Sequence, residues 1–312
     1  MKLRRVGAAI AGLAGGVVLG DRLLRGAAGE LEPALDATER TYRWRDMDVA
    51  YAELGDPGDP TLVCLHGINA AGSSGEFRDV AAALAETHHV VAPDLPGFGR
   101  SDRPPLRYSA ALYEDFVADF LAEYDAPAVV ASSLSAAYVA HAADDERVSV
   151  DSLLAVCPTT RGGPHPPKTW LRELLRSPVV GTGLFDALVS KPSIRYFNAD
   201  HAYADPASVS EEWTDYQWRT THQQNARFAV AAFVSGHCNS ELDLGAALGD
   251  LDAPVTIVWG RDATLPPLST GRDLADEADA RLVVFDHAKL LPHVEHPREF
   301  VDATREAIAP AE

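Results

Sequence analysis

Lysine is scarce: the 312 residues hold only Lys2, Lys168, Lys191 and Lys289, so arginine supplies nearly all of the 27 basic residues. Against these stand 46 acidic residues, for a net charge of −19. A chain so short of basic residues has no positive stripe with which to neutralise phosphates, which excludes nucleic acid as a partner. Cysteine is scarce too. Cys64, Cys157 and Cys238 are odd in number and far apart, a pattern that gives neither a disulfide framework nor a metal motif. Two of them fall in apolar runs that read as buried strands, so buried free thiols are expected. No metal site and no cofactor is expected. Internal repeats are absent, and low complexity is confined to the N-terminus.

What is present in excess is carboxylate. An acidic, lysine-poor, alanine-rich composition is similar to that of proteins from salt-loving archaea. Its physical meaning is a strongly hydrated, halophilic surface that tolerates its own repulsion when salt screens it. Hydrophobic residues at 46% and charged residues at 23% are an ordinary globular balance. The length allows one large domain with an insertion, with ample material for a core.

The N-terminus runs against the acidic trend. Lys2, Arg4 and Arg5 precede a Gly/Ala-rich apolar run from Val6 to Gly20, closed by Asp21 and Arg22. The run is short of the about 20 residues a membrane span needs. The charges that follow it come before any small-residue cleavage site. Two readings stand: a weak membrane anchor over residues 6–20, which makes the protein membrane-associated, or a surface helix outside the domain of an otherwise cytoplasmic protein.

Past residue 40, strands and helices alternate. Thr41–Trp44 and Met47–Glu53 read as a hairpin about Arg45-Asp46, and Gly55–Pro60 as a loop. Thr61–Leu65, His89–Ala92, Ala128–Ala131 and Ser152–Cys157 are apolar strands. Ser73–Glu86, Ala110–Tyr124 and Ser135–Ala143 read as the helices between them. Continuous apolar strands imply burial on both faces, so a mostly parallel central sheet with helices on both faces, an α/β class. The alternation breaks at Pro158. Prolines 164, 166 and 167 and amphipathic stretches bearing Trp170, Trp213, Tyr216 and Trp218 follow, and no strand of the core type. It resumes with Val255–Trp259, Gly271–Ala278, Leu282–Phe285 and Pro297–Ile308. The organisation is thus an N-terminal segment and linker (1–39), a first core part (40–160), a helical cap (161–245) and a second core part (246–312). The cap is expected over the carboxyl edge of the sheet, where such folds bind ligands. Trp213, Tyr216 and Trp218 either wall a pocket there or pack the cap onto the core.

Three segments carry chemistry. Val129–Ala137 reads strand, Ser132-Ser133-Leu134, helix, with small residues Ala131 and Ser135 flanking the turn. A serine at a sharp strand-to-helix turn is exposed and strained, as a nucleophile must be. Strand register puts Ser133 at the apex, with Ser132 and Ser135 as competitors and a serine-rich helix cap as the bland alternative. Leu65-His66-Gly67-Ile68-Asn69 follows an earlier strand. Asp94-Leu95-Pro96-Gly97-Phe98-Gly99-Arg100-Ser101-Asp102 follows the next one.

Together these motifs resemble the α/β-hydrolase superfamily, in its cap-bearing, esterase- or lipase-like branch, over residues 40–308. The resemblance implies an oxyanion hole from the backbone N–H groups of Ile68 and Leu134. It also implies a structural role for His66 and for the Asp94–Asp102 turn. It further implies a catalytic acid after the strand ending at Trp259-Gly260 and a histidine in an H-x-P-x-x-E-x-P pattern. Pro267 fixes the first register and leaves Ala263 at the acid position. Pro292, Glu295 and Pro297 fix the second and leave Leu290 at the histidine position. A serine hydroxyl is a weak nucleophile without an adjacent base, and neither alanine nor leucine accepts a proton. His287 and His293 are the candidate substitute bases, with Asp262 or Asp286 behind them. His222 and His237 of the cap are remoter ones. The expectation is a pseudo-hydrolase, or a ligand-binding protein for a small apolar or ester-like molecule. The alternative is a serine hydrolase of the carboxylic-ester type with a rebuilt base. A dehalogenase is disfavoured, because its nucleophile would be an aspartate where Ser133 stands.

Overall fold

The computed structural model of the chain describes residues 2–308, with side chains from residue 15 onward; the apolar run's first part, 6–14, has its side chains outside this range. The chain opens with α1 (Lys2–Ala28). There follow β1 (Thr38–Trp44), β2 (Met47–Leu54), β3 (Thr61–Leu65), a 3-10 turn (Ser74–Phe77), α2 (Ala81–Leu84), β4 (His89–Pro93) and α3 (Ala110–Leu121). Then come β5 (Ala128–Ser132), α4 (Leu134–Ala142) and β6 (Ser152–Val156). Five helices come next: α5 (Thr169–Arg176), α6 (Val180–Leu188), α7 (Lys191–Phe197), α8 (Glu211–Thr221) and α9 (Arg227–Val234). The chain closes with α10 (Leu244–Gly249), β7 (Val255–Gly260), α11 (Leu268–Glu277), β8 (Arg281–Phe285), α12 (Pro292–Glu295) and α13 (Pro297–Ala307).

The eight strands form one sheet in the order β1-β2-β4-β3-β5-β6-β7-β8. β1, β2 and β4 pair antiparallel and all later pairs are parallel. The hairpin at the edge turns on Arg45 and Asp46, whose φ of 44° and 63° match the right-handed strand twist. Strands β4, β5 and β6 are buried along their whole length, and their alternate residues feed two cores. On one face Val63, Val91, Val129 and Leu153 pack with Phe116 of α3 and Tyr138 of α4. On the other Leu62, Val90, Val130 and Leu154 pack with Leu84 of α2 and Phe300 of α13. All three cysteines are free and buried, and burial raises the thiols of Cys64 and Cys157 to about 12, so they stay protonated.

Two elements differ from the sequence expectation. The stretch Ser73–Glu86 is a 3-10 turn and a separate four-residue helix, because the turn drives Phe77 and the Glu76 side chain into the core. The N-terminal run continues as a helix through to Ala28, and its end is fastened to α8. Arg219 donates to the carbonyls of Ala28 and Glu30, Gln223 to that of Gly29, and the Tyr216 hydroxyl to that of Glu32. Farther along α1, Val17 packs over Gly183 of α6.

A chain of −19 with this surface is expected to depend on screening for its stability. Its thermal midpoint should rise by several degrees from dilute buffer to molar potassium chloride. An unchanged or falling midpoint would contradict the salt-adaptation reading.

Candidate active site

Strand β5 ends at Ser132 and α4 begins at Leu134, so the whole reversal falls on Ser133. Its φ of 56° and ψ of −123° lie where L-residues rarely go. The turn is held by the sheet: the Ser133 N–H donates to Val156 O at 2.9 Å, and Thr159 N–H donates to Ser133 O at 3.3 Å. The three serines separate cleanly by environment. Ser135 is fully buried and donates to His66 O at 2.6 Å, tying α4 to the loop after β3. Ser132 is 3% exposed and faces the Glu76 carboxylate. Ser133 alone is half-buried, and its hydroxyl makes no hydrogen bond among the described residues.

Gly67 marks how tightly this corner is built. A Cβ placed on it would stand 3.2 Å from Ser132 Oγ, 3.4 Å from Ser133 Cβ and 3.5 Å from Glu76 Oε2. The next N–H, that of the buried Ile68, donates to nothing among the described residues, and neither does the first helical N–H, that of Leu134. The Leu134 N–H opens α4, and free amides at a helix start attract negative charge. His66 is occupied structurally: Nδ1 lies 2.9 Å from Gly67 O, and Nε2 accepts the Leu95 N–H at 3.0 Å. In the Asp94–Asp102 turn, Asp94 accepts from the N–H groups of Ser74 and Arg100, which is also structural work.

The loops after β7 and β8 reach the same carboxyl edge, since β5 through β8 run parallel. They are pressed together: a Cβ on Gly260 would meet Lys289 O at 2.0 Å, and Asp262 N–H donates to Ala288 O at 2.9 Å. Ala263 is buried here, and Leu290 packs against the hydrophobic core. Glu295 and Lys289 then lock the second loop to the cap. Glu295 accepts from the N–H groups of Lys289 and Ala204, and Lys289 Nζ donates to the carbonyls of Ala199 and Asp200.

The substitute bases lie in different surroundings. His287 is exposed, with a φ of 55°, and its carbonyl accepts from His296 Nε2. Asp286 is exposed and paired with Arg261, which holds its carboxyl below the usual range; Asp262 is exposed. His293 is fully buried between the rings of Phe77 and Phe300, at 5.5 and 5.4 Å, with Nε2 3.4 Å from Glu76 Oε1. His222 Nδ1 sits 2.8 Å from Trp218 O, and His237 lies beside Ser235 and Thr169. Among the described residues no histidine nitrogen is hydrogen-bonded to Ser133.

Nothing local marks Glu76 in the sequence, where it falls in an expected helix with no motif around it. Burial opposes its charge, yet the facing His293, and after it Ser132, outweigh burial and hold the carboxyl below its ordinary value. Its Oε2 accepts the Gly67 N–H at 3.0 Å, so a buried carboxylate braces the loop beside Ser133 from behind. The cap aromatics are engaged with neighbours: Trp213 stacks on Tyr216 and under Arg78, while Trp218 packs on His222 and Lys191. A surface depression of about 330 Å³ lies elsewhere, between α3 and α4, lined by ion-paired Arg45, Asp115 and Arg147 with His141.

A mostly parallel eight-stranded sheet, helices on both faces, a helical insertion after β6 and a strained serine turn after β5 define the α/β-hydrolase class of fold. Residues 62–303 match the model of the alpha/beta hydrolase family, and the chain belongs to that family. The chain is 26% identical over 268 residues to 2-hydroxy-6-oxononadienedioate/2-hydroxy-6-oxononatrienedioate hydrolase 1 of Dechloromonas aromatica, covering 82% of this chain and 88% of that one. Among solved structures it is similar to carboxylesterase CesB of Bacillus subtilis (TM-score 0.70, 13% identity, 95% of this chain and 100% of that one). It is also similar to a membrane phospholipase A described as a bacterial virulence factor (TM-score 0.66, 22% identity, 100% of both chains).

Proposed function

We propose that the protein is a pseudo-hydrolase, a binding protein for a small apolar or ester-like ligand held at the cap-covered edge of the sheet. The observation that carries this reading is the pair of apolar residues, Ala263 and Leu290, on the two loops where the acid and the base belong. Attack by Ser133 requires that its proton leave as the bond to carbon forms, and imidazole is the group that takes it. Without that acceptor the serine stays an alcohol. The free N–H groups of Ile68 and Leu134 still suit a carbonyl oxygen, which fits a site that recognises an ester or acid without cleaving it. Loss of triad members leaves only rates about 10³–10⁴-fold above water. Hydrolysis of p-nitrophenyl acetate is therefore expected near background and insensitive to Ser133→Ala.

The second reading is a serine hydrolase acting on carboxylic esters through a rebuilt base. It is supported by the strain kept at Ser133 and by the hydrolase names of the relatives. A turnover of about 1–10³ s⁻¹ that disappears in Ser133→Ala decides for it.

Membrane association belongs to the same proposal. No helix among the described residues is long and apolar enough to cross a membrane. We propose that α1 lies on a bilayer surface. Its basic start and apolar run support this, as does the likeness to a membrane phospholipase.

A further inference from the structure

Exposed apolar side chains are unevenly distributed. Of the ten large ones on the described surface, eight lie on α1 and on α5–α7: Val18, Leu19 and Leu23, then Trp170, Val180, Leu184, Tyr196 and Phe197. These helices are neighbours. On α1, residues 17, 20, 21, 24, 25 and 28 turn inward, while Leu19 and Leu23 face out on the opposite stripe, the latter 66% exposed. On α6, Val180 and Leu184 flank Gly183, the residue that Val17 packs over, so the α6 patch borders α1 directly. Scattered apolar residues need no explanation, but a cluster rimmed by charge marks a contact surface.

On the α1 side the charge around the cluster is of the opposite sign to the protein: residues 1–26 hold five basic residues against Asp21 alone, in a chain of net charge −19, whereas Lys191 and Arg195 of α7 are paired with Asp215 and Glu211 of α8. The helix is also no loose tether. Arg219, Gln223 and Tyr216 bond the backbone of residues 28–32, so whatever α1 lies on, the cap faces as well.

We propose that the outer face of α1 and the adjoining exposed face of α6 and α7 form one docking surface for an anionic lipid bilayer, which sets the cap against the membrane. The proposal rests on the membrane reading of α1 and extends it to the folded cap. Apolar residues at the boundary of the acyl chains supply binding that salt does not screen, and the basic residues of α1 select anionic headgroups.

The test is flotation of the full chain with vesicles of phosphatidylcholine, with and without phosphatidylglycerol, in about 0.1 M and again in molar potassium chloride. The native protein should float with the anionic vesicles at the lower salt and keep the apolar part of that binding at the higher. Leu184→Glu with Phe197→Glu, which leaves α1 intact, should lower the bound fraction constant about ten-fold or more. If that variant floats like the native protein while deletion of residues 1–26 abolishes flotation, α1 is the anchor and the cap surface is overturned. If the native protein does not float, the membrane reading fails and this proposal with it. A native protein that self-associates without lipid, through a contact the double substitution removes, makes the patch a surface between copies and overturns the proposal. Phe197→Trp gives a reading that needs no disruptive change: its added fluorescence should be quenched by brominated lipids, and an unquenched signal overturns the proposal.

Discussion

Leu290→His combined with Ala263→Asp is expected to convert the protein into an esterase, with turnover of p-nitrophenyl acetate about 10³-fold or more above the native chain. The expectation follows from what is already in place. Ser133 is held at φ 56°, the amides of Ile68 and Leu134 are free, and the loops carrying residues 263 and 290 are pressed together at the same sheet edge. An imidazole at 290 would take the serine proton, and a carboxylate at 263 would fix its tautomer and stabilise the imidazolium. Leu290→His alone should gain far less, because an unoriented imidazole is a poor base. Ala263→Asp alone should gain nothing and should destabilise the fold, since Ala263 is buried and its carboxylate would lack a partner. A folded double variant with no gain in turnover would show that more than the two side chains separates this site from a working one.

Glu76→Ala should cost about 1–3 kcal/mol, the usual effect of leaving a buried donor, here the Gly67 N–H, without its acceptor. For a chain of this size that is a fall in Tm of roughly 2–5 °C. The substitution leaves His293 buried between two phenylalanine rings with no polar partner and frees the Gly67 N–H. Glu76→Gln keeps an acceptor for Gly67 and should cost less. The pH dependence has a definite sign. The Glu76 carboxyl is held below its ordinary value in the fold, so its contribution is present above the unfolded carboxyl pKa of about 4.3 and is lost as pH falls through the folded value. The stability gap between the native chain and Glu76→Gln should therefore close on acidification, as thermal melts across that range would show. A gap that widened instead would mean that Glu76 is buried uncharged.

The parts of this architecture that the sequence carries openly are those set by local pattern. Apolar runs such as Val129–Ala131 and Leu153–Val156 are strands buried on both faces, and the absence of such runs between residues 161 and 245 is answered by helices. Ser133 is legible because a tight turn demands small neighbours on both sides, and Ala131 and Ser135 supply them. Tertiary choices are not legible in this way. Glu76 sits in a stretch with helical composition, and its burial as a carboxylate depends on groups distant in sequence, Ser132 and, 217 positions later, His293. The N-terminal run reads as an isolated segment because nothing local announces that Arg219 and Gln223 will bind the end of its helix. Likewise, spacing identifies Leu290 as the residue at the histidine position. The locking of that loop by Glu295 and Lys289, which keeps His287 on the surface, depends on cap backbone at residues 199–204.

Reaction with a fluorophosphonate probe tests the central claim most directly, because phosphonylation requires a serine whose proton has somewhere to go. In molar potassium chloride the native protein should remain unlabelled, while the Leu290→His, Ala263→Asp variant should label at Ser133 and lose that label on Ser133→Ala. Rapid stoichiometric labelling of Ser133 in the native chain would contradict the account, since it would require a base that this site is held to lack.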